Sequence, residues 1–378
     1  MDWSVQLFEL NYDHLESDAV GSVLDSRWLT LGDETKSFEG EFSRFLGGGV
    51  SSVAVSSCTA ALHMSLVAAG IGPGDEVIIP ALTFVADANV VRMVGASPIL
   101  ADVTSLDDWN VCSKTIAACI TDRTKAVIVV HFAGYPIEDI TNIKELCSEN
   151  SLVLIEDVAH APGASIDGKM CGTFGDFGCF SFFSNKNLSI GEGGMVVANT
   201  DANTRTLASL RSHGMTSLTL DRHRGRAMSY DVARAGLNYR IDEIRAALGR
   251  VQLAKLVNGN MARMSLTTRY RDNLSDTSIM IPFSSMNEAS ISAYHIMPVL
   301  LPKNVERTAV IRHLKEAGIQ TSIHYPPFWS FTAFGESCSP AQAPRTEAIV
   351  SRELTLPLFP TMTERQVDLV CEKIKEVV

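Results

Sequence analysis

Two rhythms of hydrophobic positions alternate between about residue 50 and residue 200. Short apolar runs, the pattern of buried strands, are separated by stretches in which apolar residues return every three or four positions, the pattern of helices. SVAVSS (52–57) predicts a strand. TAALHMSLVAAGI (59–71), apolar at 61, 62, 66 and 69, predicts a helix, and GPGDEVIIP (72–80) a turn and then a strand. TFVADANVVRMVG (83–95) reads as a helix that stops at Gly95, and ASPILADV (96–103), KAVIVVHF (125–132) and LVLIED (152–157) as further strands. Strands this continuously apolar, with helices between them, predict an α/β fold whose mostly parallel sheet is covered on both faces.

The rhythm changes towards the C-terminus. RIDEIRAALGRVQLAKLV (240–257), apolar at 241, 244, 247, 248, 251 and 254, predicts a long amphipathic helix, and the composition shifts near residue 275. HIMPVLLP (295–302), VERTAVIRHLKEAGI (305–319) and TSIHY (321–325) read as strand, helix and strand, and RQVDLVCEKIKEVV (365–378) as a closing helix. The expected organisation is a large α/β domain over residues 1–250, N-terminal segment included, and a smaller C-terminal α+β domain over 251–378.

The 378 residues are 46% hydrophobic and 20% charged, ordinary for a globular chain, which excludes long disorder, collagen and coiled coil as the main architecture. The longest apolar runs fall far short of the roughly 20 residues that span a bilayer. The opening MDWSVQLFEL has no basic n-region, so the expected location is the cytoplasm, away from membranes. A net charge of −11 speaks against nucleic acid as a partner, because such binding needs Lys and Arg to neutralise phosphates. It leaves room for a small anionic ligand in a locally basic pocket. The eight cysteines, at 58, 112, 119, 147, 171, 179, 338 and 371, show no CxxC spacing and read as reduced thiols; no metal site is expected.

Three segments carry candidate chemistry. FSFFSNKNLSIGEGGMVV (180–197) places Lys186 between two apolar runs that read as buried strands meeting at a tight turn. A surface lysine is the plain reading. A partly desolvated one would have a lowered pKa and an amine able to attack a carbonyl. LVLIEDVAHAPGA (152–164) puts Asp157 at the carboxyl end of a strand, where open α/β sheets bind ligands. Asp157 either caps the next turn or pairs with a cation such as a protonated pyridine nitrogen. His160 beside it reads equally well as a hydrogen-bonded histidine at a helix start. SSCTAAL (56–62) joins a strand to a helix N-terminus, which can hold a phosphate through Thr59, the Ala60 amide and the Ser181 hydroxyl, or can be simple N-capping. No GK[ST] follows it and no GxGxxG follows the first strand, so neither a Walker loop nor a dinucleotide site is indicated. Phe84 is available to cover an aromatic ring.

A phosphate cup, an acid for a pyridinium and a lysine for an aldehyde are what a pyridoxal 5'-phosphate site needs. With them the chain resembles the DegT/DnrJ/StrS family of sugar aminotransferases, of fold type I among pyridoxal phosphate enzymes. The resemblance rests on SSCTAALHMSLVAAGIGPGDEVIIPALTFVADAN (56–89), VGASPILADV (94–103), IEDVAHAPGA (155–164), GTFGDFGCFSF (172–182), the NK…GEGG segment, GLNYRIDEIRAALG (236–249) and GIQTSIHYPP (318–327), in colinear order over about residues 25–360. It implies that Lys186 holds the cofactor as an internal aldimine and that Asp157 faces the pyridine nitrogen. It implies further that His160 lies near the phenolic oxygen, that Phe84 stacks on the ring, and that Thr59, Ala60 and Ser181 form the phosphate cup. Asn238 would reach the phosphate of a neighbouring subunit, which makes the expected assembly a homodimer with shared sites. Cys58 departs from the family's more usual glycine. Relatives with His in place of the lysine are dehydratases, so Lys186 implies the aminotransferase branch.

The same resemblance implies glutamate or glutamine as amino donor and a nucleotide-diphosphate keto sugar, with C4 the carbon aminated, as acceptor, in amino-sugar biosynthesis for a polysaccharide or a glycosylated metabolite. SHGMTSLTLDRHRGRAMSYD (212–231) carries Arg222, His223, Arg224 and Arg226 and resembles the substrate loop of that branch. It can grip a diphosphate or be a solvated surface loop. His324 and Tyr325, and Trp28 with Leu29, are further candidates for the substrate pocket. A cyclitol ketone as acceptor, a lyase or decarboxylase on the same fold, and a non-catalytic cofactor-binding regulator are the alternatives.

Overall fold

The apolar runs pair into one sheet. A computed structural model describes residues 3–217, 220, 223–225, 228–334 and 343–378. Strands β1 (Ser51–Val55), β2 (Glu76–Pro80), β3 (Ser97–Ala101), β4 (Thr124–Val130), β5 (Val153–Asp157), β8 (Phe177–Ser181) and β9 (Gly194–Ala198) lie in the order β1-β9-β8-β5-β4-β2-β3. The run from β3 to β8 is parallel, and β9 is antiparallel to both β8 and β1. The short β6 (Ser165–Ile166) and β7 (Lys169–Met170) form a hairpin extended by β10 (Ser290–Ile291). This is the mostly parallel α/β sheet that the pattern predicts.

Alternate residues of each strand serve opposite cores, as the two-residue period of a strand requires. Val77 and Ile79 of β2 join Ala126 and Ile128 of β4 on one face, while Ile78 joins Val127 and Val129 on the other. Helices α1 (His14–Ser26), α2 (Asp33–Phe45), α3 (Cys58–Ala68), α4 (Ala86–Met93), α5 (Ser113–Ala117), α6 (Ile140–Glu149) and α7 (Asp201–Leu210) belong to this part of the chain. Among the described residues, no helix is long and apolar enough to cross a membrane. Seven cysteines are free thiols, and Cys338 lies outside the described residues.

The helix predicted from residue 240 is α8 (Glu243–Leu274), 32 residues long. Its N-terminal part packs on α1 and α2, and its C-terminal part on the closing helix, α11 (Glu364–Lys375). It runs unbroken through residue 250, so the proposed division at 250/251 has no linker: one rod is common to both parts. Beyond it, β11 (Met297–Leu300), α9 (Arg307–Glu316), α10 (Pro344–Val350) and β12 (Glu353–Leu356) complete the chain. Val299, Leu301, Leu314, Leu354, Val367 and Val370 form a separate core with Leu266, Tyr270 and Leu274 of α8.

Three expectations need correction. TSIHY (321–325) is not a strand: β11 pairs with β12, and the segment contributes one bridge, Ser322 to Thr355. The His324 N–H is taken by the Glu353 carboxylate, 2.9 Å away, instead of by a ladder carbonyl. Lys186 does not sit in a tight turn, because β8 and β9 are joined by the whole of residues 182–193. The N-terminal segment, assigned to the larger part, packs on the smaller: Val5 bridges Ile319, and Leu358 donates to the Leu7 carbonyl.

Helix α2 begins after Gly32, which has no side chain to cap it. Glu243, at the start of α8, does so instead. Its buried carboxylate accepts from the N–H groups of Gly32, Glu34 and Thr35, at 2.8, 2.8 and 3.0 Å, and from the Thr35 hydroxyl. A Cβ on Gly32 would come within 2.7 Å of that carboxylate, so glycine permits the approach. Glu243→Ala strands these donors away from water and is expected to destabilise the fold by about 3 kcal/mol, read from urea unfolding midpoints.

Candidate active site

The parallel strands end on a cavity of about 460 Å³. Asp157, the last residue of β5, enters it from one side, and Lys186, from the loop after β8, from another. The preceding residue shows how strand alternation sorts these acids. Glu156 points to the opposite face, where its carboxylate accepts from Gly172, Phe174 and Gly175 N–H groups at 2.7–2.8 Å and from His131 at 3.0 Å. Glu156 is fully committed to holding a loop. Asp157 accepts one N–H, from Ala159, and keeps an oxygen towards the cavity.

Asp157 is buried, and burial raises its pKa, while the Ala159 N–H and the charge of Lys186 pull it down. Asp87, fully buried behind the cavity wall, is held by the Thr83 hydroxyl at 2.5 Å, and its Oδ1 has no partner. Burial and the neighbouring Asp157 raise its pKa strongly, so Asp87 is the protonated member of the two. Burial lowers Lys186 to about 8, with Asp157 opposing the shift. An amine near 8 exchanges protons near neutral pH, which an ordinary lysine does not.

Three histidines lie near Lys186: His160 and His324 line the cavity, and His295 lies off it. His160, His295 and His324 are all buried, and burial first and then the charge of Lys186 lower all three, His324 to about 3. His160 accepts the Ala133 N–H at Nδ1, 3.2 Å, so its proton sits on Nε2 and is donated to the Tyr325 hydroxyl at 2.7 Å. Phe84, 53% exposed, lies over the cavity mouth with its ring 5.4 Å from that of Tyr325. On the remaining side the N-terminus of α3 presents Ser57, Cys58 and Thr59, with Ser181 and Gly193 adjacent. A Cβ on Gly194 would meet the Ser57 carbonyl carbon at 2.5 Å and the Cys58 nitrogen at 2.7 Å, so glycine lets β9 pass against the helix start.

Of the residues singled out from the sequence, Thr59, Phe84, Asp157, His160, Ser181, Lys186, His324 and Tyr325 line this one cavity. Ala60 is buried, and its N–H is taken by the Ser57 hydroxyl at 3.1 Å, so it is not open to a ligand. Cys58, which stands where the family more often has glycine, lines the cavity and directs its thiol at Asp157 Oδ1, 3.8 Å away. Asn238 is exposed and outside the cavity. Trp28 and Arg224 line a second cavity of about 600 Å³, where the Trp28 ring lies 4.8 Å from that of His223 and Arg224 pairs with Asp33 at 2.6 Å. Leu29 is exposed, and Arg222 and Arg226 lie outside the described residues. Sequence reasoning missed His295, whose signal was a histidine opening the apolar run HIMPVLLP.

A cavity with a buried carboxylate opposite a lysine of lowered pKa, and a helix N-terminus at one end, fits the aldehyde, ring nitrogen and phosphate of pyridoxal 5'-phosphate. The fold and site define the class: a pyridoxal-phosphate-dependent aminotransferase of fold type I. Residues 11–375 match the model of the DegT/DnrJ/EryC1/StrS aminotransferase family, and the chain belongs to that family. Among solved structures it is similar to the aminotransferase TlmJ from Streptoalloteichus hindustanus, with 32% identity, 99% of this chain and 98% of that one covered, and a TM-score of 0.89. It is similar also to Spr1654 from Streptococcus pneumoniae in its PLP form (27%, 100% and 98%, TM-score 0.90). A third likeness is to Helicobacter pylori PseC, an aminotransferase involved in pseudoaminic acid biosynthesis (26%, 100% and 99%, TM-score 0.90).

Behind His324, Thr355 donates to Glu353 at 2.6 Å and so accepts from His324 Nδ1 at 2.9 Å. Glu353 is fully buried, and burial raises its pKa from 4.5 to about 8 against the pull of Thr355, His324 and Arg307. Between those two values the folded state holds a proton that the unfolded state has lost, so stability falls as pH rises through that window. Urea midpoints at about pH 5 and about pH 8.5 should therefore fall further in the wild type than in Glu353→Gln.

Proposed function

We propose that the protein transfers an amino group from glutamate or glutamine to a keto sugar, most specifically a nucleotide-diphosphate 4-keto sugar, in amino-sugar biosynthesis. The observation that carries the reading is Lys186, with its lowered pKa, facing the same cavity as the buried carboxylate Asp157, in a chain of this family. The likeness to Spr1654, described as a candidate sugar aminotransferase, supports a sugar as acceptor.

Each residue has a definite task in this reading. The Lys186 amine is the attachment point for the cofactor's aldehyde and, once released, carries a proton from the donor's α-carbon. The Asp157 carboxylate holds a proton at the ring nitrogen. Thr59 and Ser181, with the free N–H groups at the start of α3, hold the phosphate. Phe84 would cover a face of the ring, and His160, which donates to Tyr325, would lie near the phenolic oxygen. Bound pyridoxal phosphate supplies the electron sink that makes the α-proton removable. His324 and Tyr325 line the acceptor side.

The site is completed by a second copy of the chain. Asn238, Arg224 and Trp28 lie outside the Lys186 cavity of their own chain, and Val257, Met261 and Met264 expose an apolar stripe along α8. Burial of that stripe in a homodimer would bring Asn238 to the partner's phosphate and the Arg224 loop to the partner's substrate. Sedimentation should show a dimer in the wild type, and Met261→Asp should shift it towards monomer and lower activity with it.

The visible spectrum of the purified protein tests the whole reading. A cofactor band that L-glutamate bleaches in the wild type, and that a nucleotide-linked 4-keto sugar restores, is the expected result. Lys186→Ala should lower turnover at least about 10³-fold. Restoration by a cyclitol ketone alone moves the acceptor class, and a band that neither donor changes overturns transamination in favour of a lyase or a regulator.

A further inference from the structure

Lys186 is touched by a row of polar side chains that lies off the cavity. Its Nζ is 3.5 Å from Nε2 of His295, and Nδ1 of that ring is 2.8 Å from Oδ1 of Asn187. Nδ2 of Asn187 is 2.8 Å from Oδ1 of Asn260, on α8, and 2.7 Å from the Ala293 carbonyl. Nδ2 of Asn260 is 3.0 Å from the Pro162 carbonyl. Four separate stretches of chain thus meet behind one amine.

The direction of every bond in the row follows from its ends. The carbonyls of Pro162 and Ala293 only accept, so the amide nitrogens of Asn260 and Asn187 must face them. Oδ1 of Asn187 is then left facing the imidazole, and it too only accepts. Nδ1 of His295 therefore carries the hydrogen, and in a neutral ring Nε2 is bare. The ring is neutral: burial, Lys186, His160, Arg263 and His324 all lower its pKa, and Arg263 is itself tied to the His295 carbonyl at 3.0 Å. A lone pair fixed by two asparagines is aimed at Lys186.

We propose that His295 is a positioning residue for Lys186: its bare Nε2, fixed by Asn187 and Asn260, accepts a hydrogen bond from the amine whenever that amine is not attached to the cofactor. The hydrogen shared with His295 stays on the lysine nitrogen, both when the amine is neutral and able to take the α-proton and after it has taken it. A freed lysine has four rotatable side-chain bonds, and the charge of Asp157 on the other side would draw its ammonium away from the reacting carbon. A neutral acceptor holds the ammonium without pinning it there as a second carboxylate would. The buried groups that act on the amine are then Asp157, Cys58, His160, His295 and His324, of which only Asp157 is charged, and the exposed Glu192 lies on the same cavity. The inference rests on the role proposed for Lys186.

The test reads the proton state of Lys186 directly. The full-length chain loaded with pyridoxamine 5'-phosphate, which leaves the lysine free, is labelled with acetic anhydride across a pH series, and the Lys186 peptide is quantified by mass spectrometry. The wild-type midpoint is expected near 8. His295→Leu should lower it by about one pH unit, because the ammonium loses its acceptor. Asn187→Asp should move it the opposite way, because a carboxylate then backs the ring. In the holoenzyme, His295→Leu should lower kcat roughly tenfold with KM for glutamate little changed. Equal midpoints in the wild type and in Asn187→Asp, or a fall in both variants, would overturn the proposal. Should His295→Leu fail to fold, the Asn187→Asp midpoint decides alone. If the wild type takes up no cofactor, the proposed function fails, whereas midpoints measured in the unloaded chain still judge the row.

Discussion

Placing a lysine amine inside a protein beside a single carboxylate is the constraint that organises this structure. An ammonium ion loses its hydration there, and the loss shows as the fall of Lys186 from an ordinary 10.5 to about 8. The surroundings are arranged so that nothing else competes for the charge. The nearby histidines are neutral, Asp87 keeps its proton, and Glu156, one residue from Asp157, is turned to the other face and saturated with donors. Asp157 remains the buried anion at the cavity, with the exposed Glu192 also on its lining, and is free to meet a cation of the ligand or the lysine itself.

Sheet geometry makes this arrangement available. Parallel strands end together, and each end delivers a side chain to one edge: Asp157 from β5 and Ser181 from β8. Reversal of the chain at β9 then returns the Lys186 loop over that edge. The chain beyond α8 adds His295, His324 and Tyr325, and Tyr325 packs against the core of the large sheet.

Much of this was legible in the sequence, and its gaps have physical causes. The strands of the large sheet could be read because burial on both faces leaves an unbroken apolar run, and Asp157 and Lys186 stood out as polar residues set against such runs. TSIHY carried the same signal but belongs to a segment in which the His324 N–H is satisfied by the Glu353 carboxylate, a partner 29 residues away that no local pattern reveals. His295 was hidden for the converse reason: it opens an apolar strand-like run, and its role depends on asparagines at 187 and 260 that meet only in the folded chain. The same limit applies to Trp28 and Arg224, which gather around a different hollow from the one that holds Lys186.

Helix α8 has a mechanical consequence. At 1.5 Å per residue its 32 residues make a rod about 48 Å long, anchored in the larger core at one end and the smaller at the other. A joint of two or three loop residues would let the cores swing apart on a thermal whim. A continuous helix does not: separating them means bending its hydrogen-bond ladder or tearing one anchorage loose. Whatever traffic of donor, acceptor and product the site sustains must pass through its loops, while the frame that holds lysine against histidine stays shut.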